Sequence, residues 1–292
     1  MIQYLKLIRP EQWVKNMFVL LPAFFGGRLL DPGVFCNAVV AFVCFCLSAG
    51  SIYCFNDIRD IDADRLHPRK RARPLASGQV SVRAAYITMI VSVLAALALT
   101  FVLPMDKALV LCAVLAGYWT LNIAYCLGLK RLAIVDVFIV SLGFVFRLEG
   151  GSVATGVSLS QWIIIMTFLL ALFLSLAKRR DDTLMFEDSG VKMRRNIDRY
   201  TVEFLNTALS VVGSVTIVAY IMYTMSDSVI RRVGSGNLYI TALFVLLGII
   251  RYLQLAIVDR RSGSPVAVVL KDRFTQGCIV CWIVSFAMIL YL

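Results

Sequence analysis

Apolar residues in this chain come in long continuous runs, and short polar stretches punctuate them. Runs near ~20 residues suit helices that cross a ~30 Å hydrocarbon core at ~1.5 Å per residue. Nine such runs are predicted as spans, at 14–30, 34–55, 84–103, 108–127, 133–150, 160–177, 204–226, 238–258 and 275–292. The strands of a membrane barrel would alternate apolar with polar residues, so the pattern excludes one. The expected fold is therefore all-α, a polytopic membrane bundle formed by residues 1–292 as a single domain in a lipid bilayer. Pro22 and the pair Gly26-Gly27 interrupt the first run, which points to a broken or partly re-entrant helix there. Trp13 and Lys15 stand just before it as interfacial anchors. No small-residue cleavage site follows the run, so a cleavable signal peptide is not expected.

Composition agrees: 60% of the 292 residues are hydrophobic and 16% are charged, against about 25% charged in soluble domains. The net charge of +11 changes meaning once it is placed on the spans. With the N-terminus inside, 23 Lys and Arg residues fall on inner segments and four, Arg28, Lys107, Arg231 and Arg232, fall outside. Lys and Arg concentrate on the cytoplasmic side of membrane proteins. The N-terminus and both long polar loops are thus expected at the cytoplasmic face of the cytoplasmic membrane. That placement accounts for the charge, and no nucleic acid is expected. The eight cysteines lie mostly in apolar runs and read as small buried hydrophobes. Cys278 and Cys281 form a CxxC without a second pair, and a single histidine, His67, argues against a His-built metal site.

The first long polar stretch, Asn56–Ser81, reads NDIRDIDADRLHPRKRARPLASGQVS. On a helix, Asp57, Asp60 and Asp64 fall at i, i+3 and i+7 and share one face. Clustered carboxylates repel one another unless a cation lies between them. Mg²⁺ binds through one or two carboxylates plus substrate phosphate oxygens, and is the expected cofactor. Arg65, Lys70, Arg71 and Arg73 follow closely and suit the phosphates such an ion would accompany. The second stretch, Lys178–Glu203, opens with three bases and two acids and carries another basic pair at Arg194-Arg195. Four residues after Asp181 stands Met185, so this loop is the poorer metal site and the better anion site.

The motif Asn56-Asp57-x-x-Asp60-x-x-x-Asp64 resembles the first aspartate motif of the UbiA superfamily of intramembrane prenyltransferases. That family has nine spans, with polar motifs on the cytoplasmic loops after the second and sixth. Most members carry a second motif, DxxxD, which Met185 breaks here. The departure resembles the branch that makes decaprenylphosphoryl-5-phosphoribose. So do Arg9-Pro10-x-Gln12-Trp13-x-Lys15-Asn16, Asp64-Arg65-x-His67-Pro68-x-Lys70-Arg71-x-Arg73-Pro74, Tyr118 with Asn122 and Tyr125, and Leu129-Lys130. Asp136, Arg147, Arg251-Tyr252, Ser264-Pro265 and Lys271-Asp272-Arg273 also fit.

The resemblance implies a Mg²⁺-dependent transfer of 5-phosphoribosyl from phosphoribosyl pyrophosphate to a polyprenyl phosphate, with pyrophosphate leaving. Asp57, Asp60 and Asp64 are then the catalytic, metal-binding set, although Asp64 equally suits orienting the donor's hydroxyls. Phosphate contacts are expected from Lys15, Asn16, Asn56, Arg65, Lys70, Arg71, Arg73, Tyr118, Asn122 and Lys130. The second loop is expected to add Lys178, Arg179, Asp182, Arg194 and Tyr200. Asp136, near the inner end of its span, is a candidate support for the site, and Arg147 is expected to pair with Glu149 or another helix. The alternatives are prenyl transfer from a prenyl diphosphate to an aromatic or glycerol-phosphate acceptor, and transport of a phosphorylated solute. Transport fits less well, because the charges gather at one membrane face and not at the midplane. A homo-oligomer is compatible with each reading.

Overall fold

The computed structural model describes residues 2–66, 70–190, 196–260, 268 and 271–291. His67, Pro68, Arg194, Ser264 and Pro265 of the sequence reading lie outside them. In chain order the helices are α1 (Ile2–Ile8), α2 (Leu21–Phe25), α3 (Pro32–Arg59), α4 (Ile61–Leu66), α5 (Val82–Thr100) and α6 (Met105–Leu127). They continue as α7 (Val135–Thr155), α8 (Gln161–Ser189), α9 (Val202–Thr224), α10 (Asp227–Val233), α11 (Ala242–Ile257) and α12 (Arg273–Tyr291). No strand occurs among the described residues. Lipid offers no hydrogen bonds to the backbone, so a spanning segment must satisfy its own. Helix starts are closed by the expected side chains: Asp31 accepts from Gly33 and Val34, Ser81 from Ala84, Ser160 from Ile163, and Thr201 from Phe204.

Eight helices among the described residues are long and apolar enough to cross a membrane. The predicted first span, 14–30, is not one of them. In its place stand a 3₁₀ helix over Pro10–Leu20 and the short α2, ending at Gly26-Gly27 with Gly27 at φ +68°. Pro22 has no amide hydrogen to give Phe18, and the Leu21 amide reaches Phe18 by a tighter i→i−3 bond instead. This segment and the residues flanking it still meet their neighbours in the first unit. Arg9 reaches Asp57 and Ile8 sits against Gly50, while Asn16 touches Cys46 and Arg147. Further on, Phe18 stacks edge-on to Phe144 and Gly26 abuts Val157.

The chain forms two compact units. The first comprises residues 1–129 and 143–158, and the second residues 130–142 and 159–292. In the first, α3 packs along α5 and α6 around Phe45, Leu111, Leu115 and Tyr118. Gly150 and Gly151 bring α7 hard against this core, since an added Cβ would run into the Phe45 ring and the Val19 carbonyl respectively. A satellite cluster of Leu7, Cys54, Leu75, Val80 and Ala85 ties the loop after α4 to α3 and α5.

In the second unit α8 packs along α9, and α11 lies against α9 and α12, around Phe173, Leu176, Leu205, Leu209 and Tyr252. Asp272 caps α12 through the Thr275 amide and takes a 2.7 Å bond from Arg251. That bond holds the Asp272 carboxyl below the usual carboxylate range.

Candidate active site

The aspartate motif straddles the end of α3. Asp57 sits in its last turn, Asp60 at the break (φ −102°, ψ 9°), and Asp64 in α4. The break is slight, because the amides of Asp60 and Asp64 still bond four residues back, to Asn56 and Asp60. Asp57 and Asp64 therefore keep the common face that their spacing predicts, and both are buried, each 2% exposed.

One cation joins them. Arg73 Nη1 lies 3.1 Å from Asp57 Oδ1 and 2.6 Å from Asp64 Oδ2. Lys70 Nζ stands 3.9 Å from Asp64 Oδ1. Both bases come from the loop that Leu75 and Val80 anchor in the apolar cluster. A third base, Arg9, donates to the same Asp57 oxygen and lies over the Tyr53 ring, 4.9 Å from its centroid. Arg9 has a left-handed backbone (φ 51°, ψ 66°) just before Pro10, a conformation that costs a non-glycine residue energy and often marks functional sites. Arg9 is absent from the residues expected to act, and its only sequence signal is its place in the run Arg9-Pro10-x-Gln12-Trp13-x-Lys15-Asn16.

Among the described residues no group of three or more acidic, Cys or His side chains is arranged to hold a metal. A divalent ion at this position would therefore have two converging carboxylates from the protein. That fits Mg²⁺, which takes one or two carboxylates and completes its shell with water and phosphate oxygens. The guanidinium nitrogen between Asp57 and Asp64 marks a point where both side chains already converge on a cation.

The remaining expected residues of this unit divide into two groups. Arg71 is exposed, and Arg65 bonds the Ala76 carbonyl at 3.4 Å and pairs loosely with Asp62. Asn56 accepts from Cys126, and Lys15 is partly exposed. Deeper in the unit Arg147 donates to Asn16 Oδ1 at 2.6 Å, to the Gly143 carbonyl at 2.6 Å and to Tyr118 Oη at 3.0 Å. Asn122 bonds the Tyr118 carbonyl. Asn16 and Tyr118, expected as phosphate contacts, are thus buried partners of Arg147. Arg147 does not pair with Glu149, since residues two apart on a helix point away from each other.

In the second unit Arg179 is buried in the C-terminal half of α8. It gives a 2.7 Å bond to Asp136 Oδ2, on the first turn of α7, and a 3.2 Å bond to Asp182. Tyr200 donates to the other Asp136 oxygen at 2.7 Å and accepts from the Ile134 amide. Burial, and then the Asp136 bond, raise the Tyr200 hydroxyl above its ordinary range, so it remains a donor at any physiological pH. Arg179, Asp182 and Tyr200, expected as phosphate contacts, are thereby joined in one internal network around Asp136. Lys178 is exposed, Lys130 partly so, and Arg194 lies outside the described residues.

The UbiA prenyltransferase family pattern matches residues 19–276. Proteins named decaprenyl-phosphate phosphoribosyltransferase are similar over nearly the whole chain. The one from Corynebacterium glutamicum is 32% identical, covering 99% of this chain and 86% of its own length. The one from Mycolicibacterium smegmatis is 34% identical, covering 98% and 92%. Among solved structures, a UbiA homolog from Archaeoglobus fulgidus bound to DMAPP and Mg²⁺ superposes with a TM-score of 0.71 at 18% identity, covering 99% of both chains. That likeness establishes the fold. With a family pattern across most of its length and relatives above 30% identity, this chain is a member of the UbiA prenyltransferase family.

Proposed function

We propose that this enzyme transfers 5-phosphoribosyl from phosphoribosyl pyrophosphate to a polyprenyl phosphate, releasing pyrophosphate. The near-full-length identity to proteins named for decaprenyl-phosphate phosphoribosyl transfer carries this reading. Position 185 supports it. Asp181 and Met185 lie one turn apart on α8, where a DxxxD motif would offer two carboxylates. The acceptor is already an anion, so its phosphate oxygen can attack the ribose C1 without a strong base. The C1–O bond to pyrophosphate breaks as the C1–O bond to the lipid phosphate forms, and pyrophosphate departs with the electron pair.

Asp57 and Asp64 would hold Mg²⁺, with Asp60 at its edge, and the ion would neutralise charge developing on the leaving group. Arg9, Lys70 and Arg73 supply the adjoining positive field, and Arg71 stands exposed beside them for the donor's remaining phosphate. The decisive assay offers purified enzyme phosphoribosyl pyrophosphate and a prenyl diphosphate side by side, with polyprenyl phosphate and aromatic acceptors. Ribosyl transfer to the lipid phosphate is expected. Prenyl transfer to an aromatic acceptor without any ribosyl transfer would leave family membership and remove this activity.

We further place the N-terminus and the aspartate site at the cytoplasmic face, with the 3₁₀ segment and α2 as a ninth crossing. Eleven 3₁₀ residues at ~2.0 Å each, followed by a short α-helix, reach nearly ~30 Å, the depth of the hydrocarbon. Cysteine labelling can test the orientation in a background where the exposed Cys36 and Cys281 are serine. An impermeant reagent on sealed cells should label Asn237→Cys and spare Arg71→Cys. Labelling of Arg71→Cys would reverse the orientation.

A further inference from the structure

We propose that Arg73 is a built-in placeholder for the divalent ion. Its guanidinium holds Asp57 and Asp64 together until a diphosphate draws it away, so that metal and donor bind as a coupled pair. This inference rests on the diphosphate-donor reading above.

Three observations support it. First, one nitrogen, Arg73 Nη1, bridges both carboxylates at 3.1 and 2.6 Å, and the same point cannot also hold a metal ion. Second, the charges already balance. Arg9, Lys70 and Arg73 meet the two carboxylates, so even with Asp60 counted the cluster has no excess negative charge. A free divalent cation gains little by approaching it. A diphosphate reverses this balance, because it offers Arg73 a bidentate partner and adds negative charge beside the carboxylates.

Third, the loop does not depend on Arg73 for its position. Leu75 and Val80 fix it in the apolar cluster, and the Val80 amide bonds the Pro74 carbonyl. The side chain of Arg73, 25% exposed, can therefore turn outward while the loop stays in place. Arg9 is less suited to exchange: of the two carboxylates it meets Asp57 and not Asp64, its backbone is constrained before Pro10, and it lies over the Tyr53 ring.

Mn²⁺ binding to the purified full-length protein, followed by electron paramagnetic resonance, tests this without turnover. Wild-type enzyme should bind Mn²⁺ weakly alone and about 5- to 150-fold more tightly with inorganic pyrophosphate, the usual range of coupling between two ligands. Arg73→Gln should bind Mn²⁺ alone more tightly than wild type, lose most of the pyrophosphate enhancement, and use the donor poorly. Arg73→Lys keeps the charge but not the fork and should fall between them. Equal Mn²⁺ affinity with and without pyrophosphate in the wild type would overturn the placeholder. So would an Arg73→Gln or Arg73→Lys variant, folded by its melting curve, that binds Mn²⁺ no better than wild type. If Arg73→Gln fails to fold, the wild-type titration and Arg73→Lys decide. Inorganic pyrophosphate is the leaving group of either donor class, so these titrations are independent of which donor the enzyme uses.

Discussion

Asp57→Ala and Asp60→Ala are each expected to abolish detectable transfer while the protein still folds. Asp57 receives Arg9 and Arg73 on one oxygen and is one of two carboxylates converging on the proposed metal point. Its loss would remove a negative ligand from the ion that stabilises the departing pyrophosphate, an effect worth several kcal/mol, or on the order of a thousandfold in kcat/KM. The rest of α3 is held by apolar packing around Phe45 and Leu115, which the substitution leaves alone. Asp57→Asn preserves volume and separates lost charge from lost shape. EDTA should silence the wild type and Mg²⁺ restore it. Purified, folded Asp57→Ala or Asp60→Ala enzyme with wild-type kcat/KM would eliminate the metal-site proposal.

The second large effect concerns stability. Asp136 is fully buried and compensates Arg179, itself 3% exposed, while also accepting from Tyr200. Asp136→Ala removes the main counter-charge of Arg179 and, among the described residues, leaves its side chain the 3.2 Å contact to Asp182. Breaking one side of a buried ion pair typically costs about 3–5 kcal/mol, whereas replacing both partners by apolar groups is far milder. Thermal unfolding in detergent should therefore show a large drop for Asp136→Ala and a smaller one for Asp136→Leu combined with Arg179→Met. Because Arg179 was also expected to touch substrate phosphate, the folded double variant is informative. If it keeps wild-type KM for both substrates, Arg179 acts only within the protein. Equal melting temperatures for the single variant and wild type would show that the ion pair contributes nothing.

Much of this architecture follows from local sequence. In lipid, every span must close its own hydrogen bonds, so length and hydropathy alone mark helices, and eight of nine predicted runs appear as such. The common face of Asp57 and Asp64 follows from helical spacing, which survives the slight break at Asp60. The family resemblance was legible for the same reason, since its motif lies within one short stretch. In the first predicted span Pro22 accounts for the missing amide opposite the Phe18 carbonyl, a signal present in the sequence, while the 3₁₀ course of Pro10–Leu20 is seen only where the segment lies against α3 and α7.

What the sequence could not supply were the partners of its buried charges. Arg9 meets Asp57 across 48 residues, Arg179 meets Asp136 across 43, and Arg147 meets Asn16 across 131. Such pairings depend on how the helices pack, and no local periodicity encodes them. For that reason Arg9 is not singled out by local pattern, Arg147 finds its partners on other segments and not at Glu149, and the internal network that joins Arg179 and Tyr200 to Asp136 is invisible in the sequence. The spans and the acidic face were written in short-range pattern, while tertiary packing alone decided which cation answers which carboxylate, because buried charges take the partners that packing brings within reach.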